Sequence, residues 1–212
     1  MLYEQGPEGP LKAAKLEIES ARSAIRRMEA AADSTEYRSA WNEFLGAIEK
    51  CWNKTERALK DDTKFQPWQG QYENRRKNES MLLYLKHARN VDQHTLEEST
   101  LPLASSTAVA IRPKSGRTSA GEILKSIRLG PNGASSVDEN VELKQLNFPP
   151  RMLLRPVIDR GATYPVPTEY KGTVLHSDPL VVARLALEFY EDFVGKAEQK
   201  FVVVKTQEST SS

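Results

Sequence analysis

Residues 81–94 read MLLYLKHARNVDQH and join an apolar half to a half carrying two of the three histidines in the chain. Met81, Leu85, Ala88 and either Tyr84 or Val91 recur at helical spacing, which predicts a stripe facing a core. His87, Asn90 and His94 recur at three and four on the other side. Extended back to about Gln69, the same helix adds Arg76, Ser80 and Leu83 to that side, so a single rod is expected to bury one face and present polar groups on the other. A continuous helix would set Arg76 about 27 Å along the axis from His94, at 1.5 Å per residue.

The flanking segments carry the same period. Leu11, Ala14, Ile18, Ala21, Ile25, Met28 and Ala32 predict a first helix of about 20 residues laying one stripe on a partner. Asp33, Ser34 and Thr35 form a polar turn, with Ser34 or Thr35 as the expected N-cap of a second helix. That helix sets Tyr37, Trp41, Phe44, Ile48, Cys51 or Trp52, Thr55 and Leu59 on one side. The tryptophans could stack bases, but aromatics at this spacing read first as core, and Cys51 reads as a small buried hydrophobe. Residues 61–67 break the helix, and Pro67 suits the first turn of the third. The Arg75, Arg76, Lys77 run reads as a solvated face, with Arg76 as a candidate phosphate contact away from the chemistry.

Beyond Leu101 and Pro102 the period falls to about two. Residues 107–112, 122–129, 141–146 and 152–159 read as short strands separated by Gly116, by GPNG at 130–133 and by Pro149 and Pro150; Pro156 requires an edge or a bulge. Arg112, Lys114, Arg117, Lys125 and Arg128 make this stretch locally basic. Prolines then alternate through 163–168, and Ser177 or Asp178 before Pro179 opens a last helix. Leu180, Ala183, Leu187, Tyr190, Val194, Ala197 and Phe201 form one stripe of it and Val182, Ala186, Phe189 and Phe193 a second. So wide an apolar face is expected to dock between the earlier helices or at a dimer interface.

The expected architecture is therefore α+β: an up-down bundle of four main helices with a small antiparallel β insertion between the third and fourth. Residues 11–100 hold three helices, 103–172 the insertion and 177–203 the last helix, with flexible tails at 1–10 and 204–212. The 212 residues, 39% of them hydrophobic, suffice for such a core. A net charge of +1 excludes nucleic-acid attraction by bulk charge and leaves a local patch to supply it. One cysteine excludes an internal disulfide, and no 18-residue apolar run or leader is evident, so no membrane role and a cytoplasmic location are expected.

Arg89, Asn90, three further residues and His94 together resemble the R-x4-6-H motif, with a polar residue after the arginine, of the HEPN (higher eukaryotes and prokaryotes nucleotide-binding) superfamily. The resemblance covers the motif and, more loosely, the helices; it leaves 103–172 unexplained. It implies a helical bundle working as a homodimer and cleaving RNA without a metal or cofactor, as a toxin or defence effector. A cognate antitoxin or regulatory protein is implied with it. By the same resemblance His94 is the acid or base, Arg89 the phosphate stabiliser and Asn90 the residue that orients them. Catalysis is thus expected at Arg89, Asn90 and His94, and RNA binding at Arg76 and His87.

The chemistry agrees with the residue types. Histidine, with an ordinary pKa near 6.5, can carry protons in both directions at neutral pH, and arginine offers a permanent charge in fork geometry for phosphate oxygens. Positions five apart on an ideal helix stand about 140° apart, so Arg89 and His94 converge only if the helix ends or distorts between them. A purely structural alternative has Arg89 bonding the last helical carbonyls and His94 capping them. A metal shared by His87, Asp92 and His94 is disfavoured, since the histidines lie roughly 10 Å apart along the axis. The competing function is a non-catalytic HEPN-like protein that dimerises and recruits a partner through the β insertion.

Overall fold

The computed structural model describes residues 9–94, 98–103, 106–113, 127–130, 133–136, 141–148 and 151–203, of which 93, 94, 106–113, 127–130, 133–136, 141–148, 151 and 203 are described by backbone alone. The expectations for residues 1–8 and 204–212, for Lys114, Gly116 and Arg117, for residues 122–126, for the centre of the GPNG turn and for Pro149 and Pro150 lie outside the described residues. Among those described, five α-helices and ten short strands give a mainly helical α+β fold with small antiparallel strand pairs. The chain divides into two compact units, residues 1–101 with 152–212, and residues 102–151.

In the first unit, α1 (Lys12–Ala30) buries Ala14, Ile18, Ala21, Ile25 and Met28, the stripe its period requires. Ala32, expected to extend it, lies past the helix end and is exposed. The N-cap of α2 (Ser34–Leu59) is Asp33, one residue earlier than expected: its carboxylate accepts from the Thr35 and Glu36 amides at 2.9 and 2.8 Å. Glu36 reaches back to the Ala32 amide at 3.0 Å. Three of the orphan N–H groups around the helix start are satisfied in this way. Trp41, Phe44, Ile48, Cys51, Trp52 and Leu59 are all buried, so both tryptophans of α2 are core and offer no stacking platform. Trp52 instead stacks on Phe193 with centroids 4.5 Å apart.

The long third helix is two helices. α3 (Phe65–Asn78) and α4 (Ser80–His94) are separated by Glu79, whose ψ of 121° is extended. The Asn78 side chain competes with the helical backbone by donating to the Asn74 carbonyl at 2.8 Å, and Arg75 pairs with Glu79 at 2.6 Å across the last turn. The break detaches Arg76 from the polar face of α4. Arg76 is buried, ion-paired to Glu49 at 2.5 Å and lying 4.3 Å over the Trp52 ring, so it is not the RNA contact expected of it. Arg75 is half-buried between Glu79 and the Tyr170 hydroxyl, and only Lys77 of the basic run is solvated, paired with Glu73.

α4 buries Met81, Leu82, Tyr84, Leu85, Ala88 and Val91, which confirms the core stripe. α5 (Pro179–Glu198) is capped by Asp178, which accepts from the Leu180 amide at 2.8 Å, and a π-helical turn (Gln199–Val203) follows it. Val182, Ala183, Ala186, Leu187, Phe189, Tyr190, Phe193, Val194 and Ala197 are all buried within the chain. Both apolar stripes of α5 are consumed by the core, which leaves neither as a dimer surface. Each fully buried Leu or Phe among these contributes about 1.5–3 kcal/mol.

Strands β1 (Thr100–Leu103) and β6 (Arg151–Leu154) pair. The second unit consists of a register-matched pair, β2 (Ser106–Pro113) with β5 (Val141–Phe148), running from Ser106 opposite Phe148 to Pro113 opposite Val141, and a hairpin of β3 (Ile127–Gly130) with β4 (Gly133–Ser136). The expected 152–159 strand is divided at Arg155 and Pro156 into β6 and β7 (Val157–Asp159), because proline has no N–H for the ladder. β7 pairs with β8 (Ala162–Tyr164), and β9 (Glu169–Tyr170) with β10 (Thr173–Val174). These last strands belong to the helical unit, since Leu154, Val157, Tyr170 and Leu175 join its core. The inserted unit therefore ends at Arg151, not at 172.

Candidate functional site

The β7–β8 hairpin decides what surrounds the chemical half of α4. Its two-residue turn, Arg160 and Gly161 at φ of 52° and 79°, is the left-handed pair that matches the twist of adjoining strands. Alternation then places Val157 and Asp159 on one face and Ile158 on the other. Val157 is buried in the core while Ile158 is half exposed. Asp159 is thereby carried to α4 on the same face as Val157.

There its carboxylate gathers two residues of the helix. His87 Nδ1 lies 2.7 Å from Asp159 Oδ2, and Asn90 Nδ2 donates to the same oxygen at 3.0 Å. These contacts, Asn90 first and His87 second, hold the Asp159 carboxyl below its usual range. An ionised carboxylate only accepts, so Nδ1 carries the hydrogen and Nε2 is the nitrogen able to exchange a proton with a ligand. The imidazole also stacks on the Tyr164 ring, centroids 3.5 Å apart and planes 10° apart. His87 is therefore fixed in both tilt and tautomer. Its side chain keeps 16% exposure and that of Asp159 12%, so the pair is sheltered but reachable.

Arg89 adjoins this group. Its Nη1 donates to Asn90 Oδ1 at 3.4 Å, a long bond, and its Nε is buried with no hydrogen-bond partner. No carboxylate among the described residues pairs with it. Among the described residues its engagement is thus weak, and a guanidinium carries a permanent charge that suits an anion. The expected residues His87, Arg89 and Asn90 are thus brought into one hydrogen-bonded row through Asp159, whereas Arg76 is excluded from it. α4 continues through His94 without the end or distortion expected between Arg89 and His94, so their positions stay about 140° apart around the axis. The side chain of His94 lies outside the described residues.

Asp92, weighed above as a metal ligand, has a structural task. It accepts from the Ser99 amide at 3.0 Å and the Ser99 hydroxyl at 2.6 Å, and Trp41 Nε1 donates to that hydroxyl oxygen at 2.9 Å. The Ser99 carbonyl takes the Arg155 amide at 3.0 Å and the Tyr84 hydroxyl at 3.2 Å. Burial raises the Asp92 carboxyl above its ordinary value. Among the described residues no group of three His, Cys, Asp or Glu side chains could hold a metal. Cys51 is fully buried, and its thiol is pushed up to about 12, so it is no nucleophile near neutral pH.

Asp159 and Tyr164 were missed in the sequence. The signal available was the Val-Ile-Asp alternation ahead of an Arg-Gly turn, obscured by reading one strand through Pro156. No helix among the described residues is long and apolar enough to cross a membrane. Comparison with protein-family models, with curated proteins and with solved structures finds no match.

Proposed function

We propose that the chain is an endoribonuclease of the HEPN type that needs no metal and serves as a toxin or defence effector, with Arg89, Asn90 and His94 as its motif. The observation that carries the reading is the row Arg89, Asn90, Asp159 and His87 on and beside α4, where a cation that pairs with no carboxylate among the described residues is linked to a sheltered imidazole. Cleavage requires a base for the ribose 2′-hydroxyl, an acid for the departing 5′-oxygen and positive charge beside the phosphorus. Positions 89 and 94 stand about 140° apart, but the Arg89 guanidinium reaches Asn90, a position about 40° from that of His94, so in this reading Arg89 supplies the charge from beside Asn90 and His94 transfers a proton. RNA is the proposed substrate and an antitoxin or regulatory protein the proposed partner. The proposed assembly is a homodimer, as the resemblance implies, with its interface away from the two stripes of α5 that the core consumes.

Purified protein incubated with mixed RNA in EDTA should leave 2′,3′-cyclic phosphate and 5′-hydroxyl ends. Loss of cleavage in EDTA with recovery on adding a divalent ion would overturn the metal-independent mechanism. The alternative, a non-catalytic HEPN-like interaction protein, draws support from Asp159, whose two bonds to α4 also serve to fasten the β7–β8 hairpin. No RNA cleavage under any condition would favour that reading.

A further inference from the structure

We infer that His87 is a second proton carrier of the same site, so that one chain supplies both base and acid, His87 with His94. The inference rests on the endoribonuclease reading and deepens it. Three features of His87 converge on this role. Its Nδ1 is committed to Asp159 at 2.7 Å, which leaves Nε2 as the exchanging nitrogen. Its ring plane is fixed by the Tyr164 stack. Its carboxylate partner is tied through Asn90 to Arg89, the cation that the proposed reaction assigns to the phosphate. A carboxylate that orients an imidazole and balances its developing charge is the arrangement a general base requires. Among the described residues Asp159 meets His87 directly, and Arg160, beyond the turn, acts on the Asp159 carboxylate.

Backbone placement suits the pair. Positions 87 and 94 on the unbroken α4 are two turns apart, roughly 10 Å along the axis and within about 20° of one face, with positions 89 and 90 between them in sequence. That separation keeps two histidines from sharing one ion, but a base and an acid act on opposite sides of a phosphodiester. His87 Nε2 takes the 2′-hydroxyl proton as O2′ bonds to phosphorus, the bond from phosphorus to O5′ breaks, and O5′ receives a proton from His94. The products are a 2′,3′-cyclic phosphate and a 5′-hydroxyl end; His87 then gives its proton to water and His94 regains one from water, which resets both rings. Asp159 is the positioning residue.

The test compares wild type, His87→Ala, His94→Ala and Asp159→Asn on one RNA. Expected is a fall of about 100-fold or more in kcat/KM for His87→Ala, partly restored by added imidazole, which a structural role would not permit. Asp159→Asn should lower kcat with KM little changed. Mixing His87→Ala chains with His94→Ala chains should restore nothing, because each site needs both histidines of one chain. Wild-type cleavage that survives in His87→Ala within a few-fold, a loss that imidazole does not restore, or recovery on mixing would overturn the inference and leave the endoribonuclease reading standing. No cleavage by wild type would overturn both, and imidazole rescue separates proton transfer from unfolding even if His87→Ala melts early.

Discussion

Glu49→Ala should destabilise the protein by about 3–5 kcal/mol, the cost of leaving a buried cation without its partner. Arg76 keeps 8% side-chain exposure and Glu49 21%, with a single ion pair at 2.5 Å between α3 and α2. The Trp52 face 4.3 Å from the guanidinium adds attraction but cannot replace the carboxylate. A melting point lower on the order of 10 °C is expected at this chain length. The double variant Glu49→Leu with Arg76→Met removes both charges and should recover to within about 2 kcal/mol of wild type, since a buried pair and apolar residues of similar volume are often near parity. Urea midpoints would check this. A Glu49→Ala cost below about 1 kcal/mol would mean that Arg76 reaches water.

That pair also marks where the sequence stops being legible. α1, α2, α5 and the core stripe of α4 follow from period alone, because each buries one continuous face. The break at Glu79 has no such signal: Asn78, Glu79 and Ser80 include neither glycine nor proline, and the local competitor for the helical backbone is Asn78, whose side chain bonds the Asn74 carbonyl. Without the break Arg76 reads as part of the polar face. With it, Arg76 is an interior cation whose partner is 27 residues away, which no local spacing reveals. Asp159 escaped for the same reason, standing 72 residues from His87. The polar half of α4 was readable from local spacing, but the carboxylate that bonds His87 and Asn90 was not.

Arg89→Ala and His94→Ala should abolish cleavage while leaving the fold intact. Removing a proton carrier costs about 10²–10⁴-fold, and removing a preorganised positive group costs about 10²–10³-fold. Among the described residues the Arg89 side chain bonds Asn90 alone, at 3.4 Å, so its loss should cost less than about 1 kcal/mol. The two outcomes separate catalysis from helix capping. A capping pair would lower the melting point on removal and leave no RNA chemistry to lose.

The rate of 2′,3′-cyclic phosphate formation on mixed RNA in EDTA, measured side by side for wild type, Arg89→Ala and His94→Ala with melting temperatures from the same preparations, is the most direct measurement. Cleavage by wild type that falls at least about 100-fold in both variants, at melting points within a few degrees of one another, is the expected result. Wild-type protein without cleavage, or variants that cleave as fast as wild type, would contradict the assignment of this chemistry to α4.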